Sequence, residues 1–162
     1  MILTTVGTQL PFDRLIKAMD SFAEKHTEEE YFAQIGVGSF VPSHMTIFRE
    51  MTPLGFRQAC ENARIIVSHA GTGNILLALE LQKPIIVMPR RAALGEHRND
   101  HQLATVHWMK DKSGIVVAES EAALHAALAS SASLVQKHIV TDRASDQLLT
   151  TIRDFINVDT KR

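Results

Sequence analysis

At 162 residues the chain has room for one domain with a substantial core and not for two ordinary ones. A hydrophobic fraction of 45% with 22% charged residues is that of a soluble globular fold, and a formal net charge of −1 gives no electrostatic case for a nucleic-acid partner. The lone Cys60 excludes an intramolecular disulfide and suits a reducing cytoplasm, where it reads as a buried structural thiol in a helix.

The N-terminal stretch Met1–Val6 has no basic n-region and no long apolar h-region, so it reads as a first strand and not as a secretory signal. No apolar run approaches the ~20 residues of a membrane helix. Gly7-Thr8-Gln9-Leu10-Pro11 is a turn, and Phe12, Leu15, Ile16, Met19 and Phe22 recur at helical spacing, which predicts a helix over 12–25. Strands are expected at 31–37 and around 45–48. The short connection between them suggests hairpin-like or crossing edge strands, and the sequence does not order them. Pro53 opens a helix that turns Phe56, Ala59, Cys60 and Ala63 inward.

The centre of the chain is a run from Ile65 to Leu81. A β-branched strand, Ile65-Ile66-Val67, meets a small-residue turn, Ser68-His69-Ala70-Gly71-Thr72-Gly73-Asn74, and then a helix with apolar positions at 75, 76 and 79. Ser68, Thr72 and Asn74 are able to cap that helix. Its N-terminus offers unpaired N–H groups and the positive end of a dipole, which favours phosphate. The pattern lacks the full GxGxxG fingerprint and the Lys-Ser/Thr of a P-loop, and no acidic residue follows at the spacing a dinucleotide binder needs. A second unit follows: a buried strand in Lys83–Arg90, a loop from Arg91 to Arg98, and a helix starting at Asn99 and running through Leu103, Val106, Trp108 and Met109. Two successive strand–loop–helix units place polar loops at the C-terminal edge of a parallel sheet, where open α/β sheets bind ligands. Ile115-Val116-Val117 is a last strand, Ser120 caps an alanine-rich helix to about Ala129, and a final helix is expected over 142–156. Its Leu148, Leu149, Ile152 and Phe155 suit either core or a partner surface.

Several polar residues cluster at the expected ligand edge. Arg90, Arg91 and Arg98 around one loop suit a diphosphate, or a solvated loop. His69 either lines the site or bonds the loop. Glu96 and Asp100 are open to acid/base work, or to solvation and a favourable helix-dipole contact respectively. Asn99 and Gln102 can read sugar hydroxyls as donors and acceptors. His97 and His101 lie four apart, but a helix start at Asn99 leaves His97 in the loop, no third ligand is evident, and no metal is expected.

The motifs Thr5-Val6-Gly7-Thr8-Gln9, Ser68-His69-Ala70-Gly71-Thr72-Gly73, Lys83-Pro84 and Gly95-Glu96-His97-Arg98-Asn99-Asp100-His101-Gln102 occur in an order that resembles the C-terminal domain of family 28 glycosyltransferases, over roughly residues 1–120. The stand-alone forms of that domain, nucleotide-sugar-binding subunits of dolichol-linked GlcNAc transferases and small bacterial polysaccharide glycosyltransferase subunits, are the nearest in kind. The resemblance implies a single Rossmann-like α/β domain, the donor half of a GT-B glycosyltransferase. It implies a UDP-sugar donor, no cofactor, and a membrane-associated partner subunit that brings a lipid-linked acceptor at the cytoplasmic membrane face. It also implies that Gly7, Thr8, Gln9, Ser68, His69, Gly71, Thr72, Gly73, Asn74, Arg90, His97, Asn99, Asp100, His101 and Gln102 bind the nucleotide sugar, with Gln102 on the sugar itself. No catalytic base is identified. One departure stands out: where the family carries an acidic residue for the ribose hydroxyls, seven positions before Pro84, this chain has Leu77. Glu80, nearly one helical turn on, is the candidate substitute. The alternative reading is a non-catalytic stabilising subunit that keeps the fold without the chemistry.

Overall fold

The computed structural model describes residues 1–134 apart from 111 and 113, together with 150, 151 and 153. The expected helix over 142–156 lies outside the described residues except for Thr150, Thr151 and Arg153, which are helical. Six strands form one parallel sheet: β1 (Ile2–Thr5), β2 (Tyr31–Gln34), β3 (Thr46–Phe48), β4 (Ile65–His69), β5 (Ile85–Met88) and β6 (Ile115–Val117), in the order β3-β2-β1-β4-β5-β6. The order reverses between β1 and β4, which are paired from Ile2↔Ile65 to Thr5↔Ser68. That reversal opens a crevice beyond their C-terminal ends.

Two layers of helix cover the sheet. α1 (Asp13–Lys25) and α5 (Glu121–Ala129) share one cluster of buried side chains that includes Phe12, Leu15, Ile16, Met19, Leu124 and Leu128. α2 (Pro53–Asn62), α3 (Thr72–Glu80) and α4 (His101–Met109) contribute Cys60, Ile75, Ala78, Leu79 and Val106 to the cluster on the other side. The central strands are buried on both faces, which explains their continuous β-branched runs. Pro53 stands in the first turn of α2 behind the Thr52 cap, and the Ser120 hydroxyl caps α5 by accepting from Ala123 N–H at 3.2 Å. Among the described residues no helix is long and apolar enough to cross a membrane.

The β2–β3 connection corrects the hairpin expectation. The two strands are parallel neighbours, from Phe32↔Thr46 to Gln34↔Phe48, joined by a loop over 35–45 with no helix. A crossover that skips its helix needs other anchors, and α1 provides two carboxylates seven residues apart. Asp13 accepts from the Ser39 hydroxyl at 2.5 Å and from the Phe40 N–H at 3.2 Å, while Asp20 accepts from the N–H groups of Ser43 and His44 at 3.0 and 2.7 Å. β2 ends at Gln34, short of the expected Val37, because Gly36 turns the chain with φ +56°.

α4 begins at His101, two residues later than expected; Val106 is buried and Met109 packs on the core as read from the sequence, but two positions differ. Gln102 is buried at 3% exposure while Trp108 is 81% exposed. Leu76 on α3 likewise faces out, its expected place inside taken by Ala78.

Candidate functional site

Two contiguous clefts occupy the crevice at the strand-order reversal. The first, of about 280 Å³, lies over β1, β2 and the start of α2 and includes Val37, Arg49, Glu50, Met51, Pro53 and Phe56 in its lining. The second, of about 580 Å³, runs past the two glycine turns to the start of α4, ending at His97, His101, Gln102 and Thr105. They meet at Gly7, Thr8, Phe56 and Asn74, which line both. Gln9, His69, Gly71, Thr72 and Gly73 line the second, so these expected residues converge, whereas Ser68 is fully buried and lines neither cleft. The first cleft's lining from Val37 to Phe56 was not singled out from the sequence. Its sole signal there was a Pro-capped helix start next to an apolar strand end.

Close packing shapes the two turns. Gly7 has φ +77°, and a Cβ on it would stand 2.7 Å from His69 Cε1; a Cβ on Gly71 would stand 2.3 Å from His69 Nε2. The imidazole thus fills the gap between the turns, and only glycine leaves room for it. Burial, and then the nearby Arg90 charge, push the His69 pKa down to about 4, so the ring is neutral at pH 7; a backbone bond to Thr5 opposes the shift. His69 therefore lines the cleft and bonds the backbone at the end of β1. Gln34 fixes the other side. Its Oε1 accepts from the Thr5 hydroxyl at 2.7 Å and from Gly7 N–H at 3.2 Å, and its Nε2 donates to the carbonyls of Gly7 and Arg49, both at 3.1 Å.

The α3 N-terminus faces the junction. Gly71 is the N-cap and no side chain caps the helix, contrary to the capping role expected of Ser68, Thr72 or Asn74. Asn74 instead donates to the Ser68 hydroxyl at 2.8 Å. The N–H groups of Thr72, Gly73 and Asn74 have no carbonyl one turn back within the helix and remain available to an anion.

The loop over 90–100 departs most from the sequence reading. Arg90 is 3% exposed and committed to the protein: it donates to the carbonyls of Val6 and Leu10 at 2.8 and 2.6 Å and lies 5.1 Å from the Phe12 ring centre. Arg91 reaches the Glu119 carbonyl at 3.0 Å, and Arg98 is exposed and outside the lining. The three guanidiniums are not gathered on one ligand. Glu96 is neither solvated nor paired with Asp100. Its carboxylate takes a fork from Arg14, at 2.6 and 2.8 Å, and the Arg91 N–H at 2.9 Å. Asp100 stands at the N-cap of α4, but its carboxylate accepts from Ala92 N–H at 2.8 Å. Asn99 accepts from the His101 ring at 2.5 Å. His97, although in the loop, meets His101 with ring centres 4.5 Å apart. Gln102 Oε1 accepts from Arg90 N–H at 3.0 Å, which leaves its amide N–H groups for the cleft. Among the described residues no three His, Cys, Asp or Glu converge as a metal site.

Glu80 does not reach the clefts. It ends α3, at the opposite end from the glycine turn, and pairs with Arg57 of α2 at 2.8 Å. Leu77 is half-buried against the second core cluster and outside both linings. Cys60 is buried, and desolvation raises its thiol pKa to about 11, as befits an inert structural thiol.

A parallel sheet with a crevice at its order reversal, and helix N-termini around it, is a Rossmann-like α/β domain. Solved glycosyltransferases share it. The kitacinnamycin glycotransferase aligns over 82% of this chain with a TM-score of 0.62 at 17% identity, and the calicheamicin glycosyltransferase CalG4 over 96% with 0.55 at 14%. The chain spans 34% and 43% of those two chains. The family model described as the glycosyltransferase family 28 C-terminal domain matches residues 1–155, and the chain belongs to that family. A 37-residue stretch is 54% identical to the UDP-N-acetylglucosamine transferase subunit ALG13 of Eremothecium gossypii, covering 23% of this chain and 18% of that protein.

Proposed function

We propose that this chain is the donor-binding half of a glycosyltransferase that takes its sugar from a UDP-sugar, with a second, membrane-associated subunit holding a lipid-linked acceptor. The observation that carries the reading is the meeting of an apolar cleft and a polar one at the open N-terminus of α3. The nucleoside lies in the first cleft against Phe56, Met51 and Val37. The diphosphate sits on the first-turn N–H groups of α3, beside Gly7 and Thr8. The sugar extends toward Gln102. Family membership and the likeness to the UDP-N-acetylglucosamine transferase subunit ALG13 support a UDP-sugar donor and a subunit role. Since Leu77 and Glu80 both lie outside the clefts, the carboxylate suited to the ribose hydroxyls is Glu50, the one acidic residue among the described lining of the first cleft.

In the transfer an acceptor oxygen attacks the anomeric carbon, the bond to the diphosphate breaks, and UDP leaves with the electron pair. The acceptor proton passes to a base on the acceptor half. The α3 amides hold the charge that develops on the leaving phosphate, a stabilisation that needs no reorganisation at the moment of reaction. No metal takes part in this scheme, and the site of action is the cytoplasmic membrane face, reached through the partner.

UDP at millimolar concentration should raise the thermal midpoint of the chain, and Glu50→Ala should reduce the shift. No shift for the chain or for its complex would refute the nucleotide reading. The half-buried leucine in place of the ribose carboxylate favours a second reading, a non-catalytic stabilising subunit. Gln102→Ala separates the two: loss of sugar transfer by an intact complex supports the catalytic reading, and full transfer supports the other.

A further inference from the structure

The far end of the second cleft has a charge character that the glycine turns do not explain. Among the described residues lining it, none is Asp or Glu. The two carboxylates of the adjoining loop are both turned away, Glu96 into the Arg14 fork and Asp100 onto the Ala92 N–H. What faces the space includes hydrogen-bond donors. Gln102 presents its amide N–H groups, because its oxygen is held by Arg90 N–H. Asn99 N–H approaches His97 Nδ1 at 3.4 Å, which leaves the His97 proton on Nε2. His101 Nδ1 donates to the Asn99 carbonyl oxygen, and its ring stands edge-on to that of His97 with centres 4.5 Å apart. Beneath them lies the buried Arg90 guanidinium, which donates to the Val6 and Leu10 carbonyls, feels the Glu96 carboxylate, and keeps a buried Nε with no hydrogen-bond partner among the described residues. Neutral sugar hydroxyls are served by mixed donors and acceptors, carboxylates included; donors over a buried guanidinium, in a lining without carboxylates, are suited to an anion.

We infer that the donor sugar carries a carboxylate: the α4 side of the cleft takes the uronic acid unit of a nucleoside-diphosphate uronate, between His97, His101 and Gln102. The inference rests on the nucleotide-sugar reading of the same crevice and narrows it to one chemical class of sugar. The field around His97 agrees with it. Partial burial first, and then the charges of His101, Arg90 and Arg98, hold its imidazole below the ordinary range, as an electropositive surrounding does. A bound carboxylate opposes that field and accepts from His97 Nε2 and from the Gln102 amide.

Calorimetric titrations of the chain with UDP, UDP-glucuronic acid, UDP-glucose and UDP-N-acetylglucosamine test this. The uronate should bind at least about ten-fold more tightly than either neutral donor, the size of one charge-assisted hydrogen bond. In a His97→Gln, His101→Gln double variant, checked for an unchanged thermal midpoint, the ratio of uronate to glucose affinity should fall toward one. Equal or tighter binding of the neutral donors by a chain that binds UDP overturns the uronate inference alone. An undiminished uronate preference in the folded double variant overturns the assigned wall. No binding of UDP itself overturns the nucleotide reading, and this inference with it.

Discussion

The two walls of the second cleft are built on different physics. One wall, the turns at Gly7 and Gly71, is held in shape by volume: a neutral imidazole fills the space that two missing Cβ atoms leave open. The other, the loop over 90–100, is held by charge and hydrogen bonds that reach back to α1, with Phe12 between two guanidiniums at 5.2 and 5.1 Å. Steric walls fail abruptly when an atom is added. Polar walls loosen in proportion to the bonds removed.

The largest effect should therefore come from the glycine wall. Gly71→Ala puts a methyl group 2.3 Å from His69 Nε2 and should cost about 3 kcal/mol in urea unfolding. Gly73→Ala, two residues on and with nothing within 4 Å of the new Cβ, should be neutral or slightly stabilising. Adding His69→Ala to Gly71→Ala should recover much of the loss. Equal costs for Gly71→Ala and Gly73→Ala would show that the imidazole does not set the turn.

Next in size is a pH effect on the same wall. Folding depresses the His69 pKa from 6.5 to about 4, so the folded state binds fewer protons than the unfolded chain between those values. Its contribution is complete above about pH 6.5 and is lost as pH falls toward 4. Discounted for partial exposure, the loss is on the order of 2 kcal/mol. His69→Asn should flatten that stretch of the stability–pH curve, and an identical slope in the variant would contradict the assignment.

The charged wall should give smaller, local losses. Arg14→Ala removes the fork on Glu96 and should cost about 1–2 kcal/mol, with faster amide exchange at Arg91, whose N–H shares that carboxylate. Exchange at Gly7 should be unchanged, because Gln34 holds it independently. A uniform rise in exchange over both walls would mean that they are one structural unit.

The same contrast explains what was legible in the sequence. The glycine wall was readable because its cause is local: β-branched strand, small-residue turn and amphipathic helix follow one another from Ile65 to Leu81. The charged wall was not, because the partners of its residues lie far away in the chain. Nothing near Glu96 announces Arg14, 82 residues earlier, and nothing near Arg90 announces the Val6 and Leu10 carbonyls. Parallel pairing of β2 with β3 was misread for the same reason, since its anchors, Asp13 and Asp20, sit on α1. The burial of Gln102 on α4 could not be read from periodicity either: alongside the apolar Val106, that side chain is buried because it closes on Arg90 N–H, a bond made by the site and not by the core.

The central claim, that the crevice at the β1–β4 reversal holds a nucleoside diphosphate, is tested most directly by titrating the isotopically labelled chain with UDP and following its backbone amides by NMR. The account predicts saturable shifts at Gly7, Thr8, Thr72, Gly73 and Asn74, with Met51 and Phe56 moving alongside them and Glu80 unmoved. Shifts confined to other surfaces, such as the cleft at Tyr31, Arg64 and Ser131, or no shifts at millimolar UDP, would contradict it.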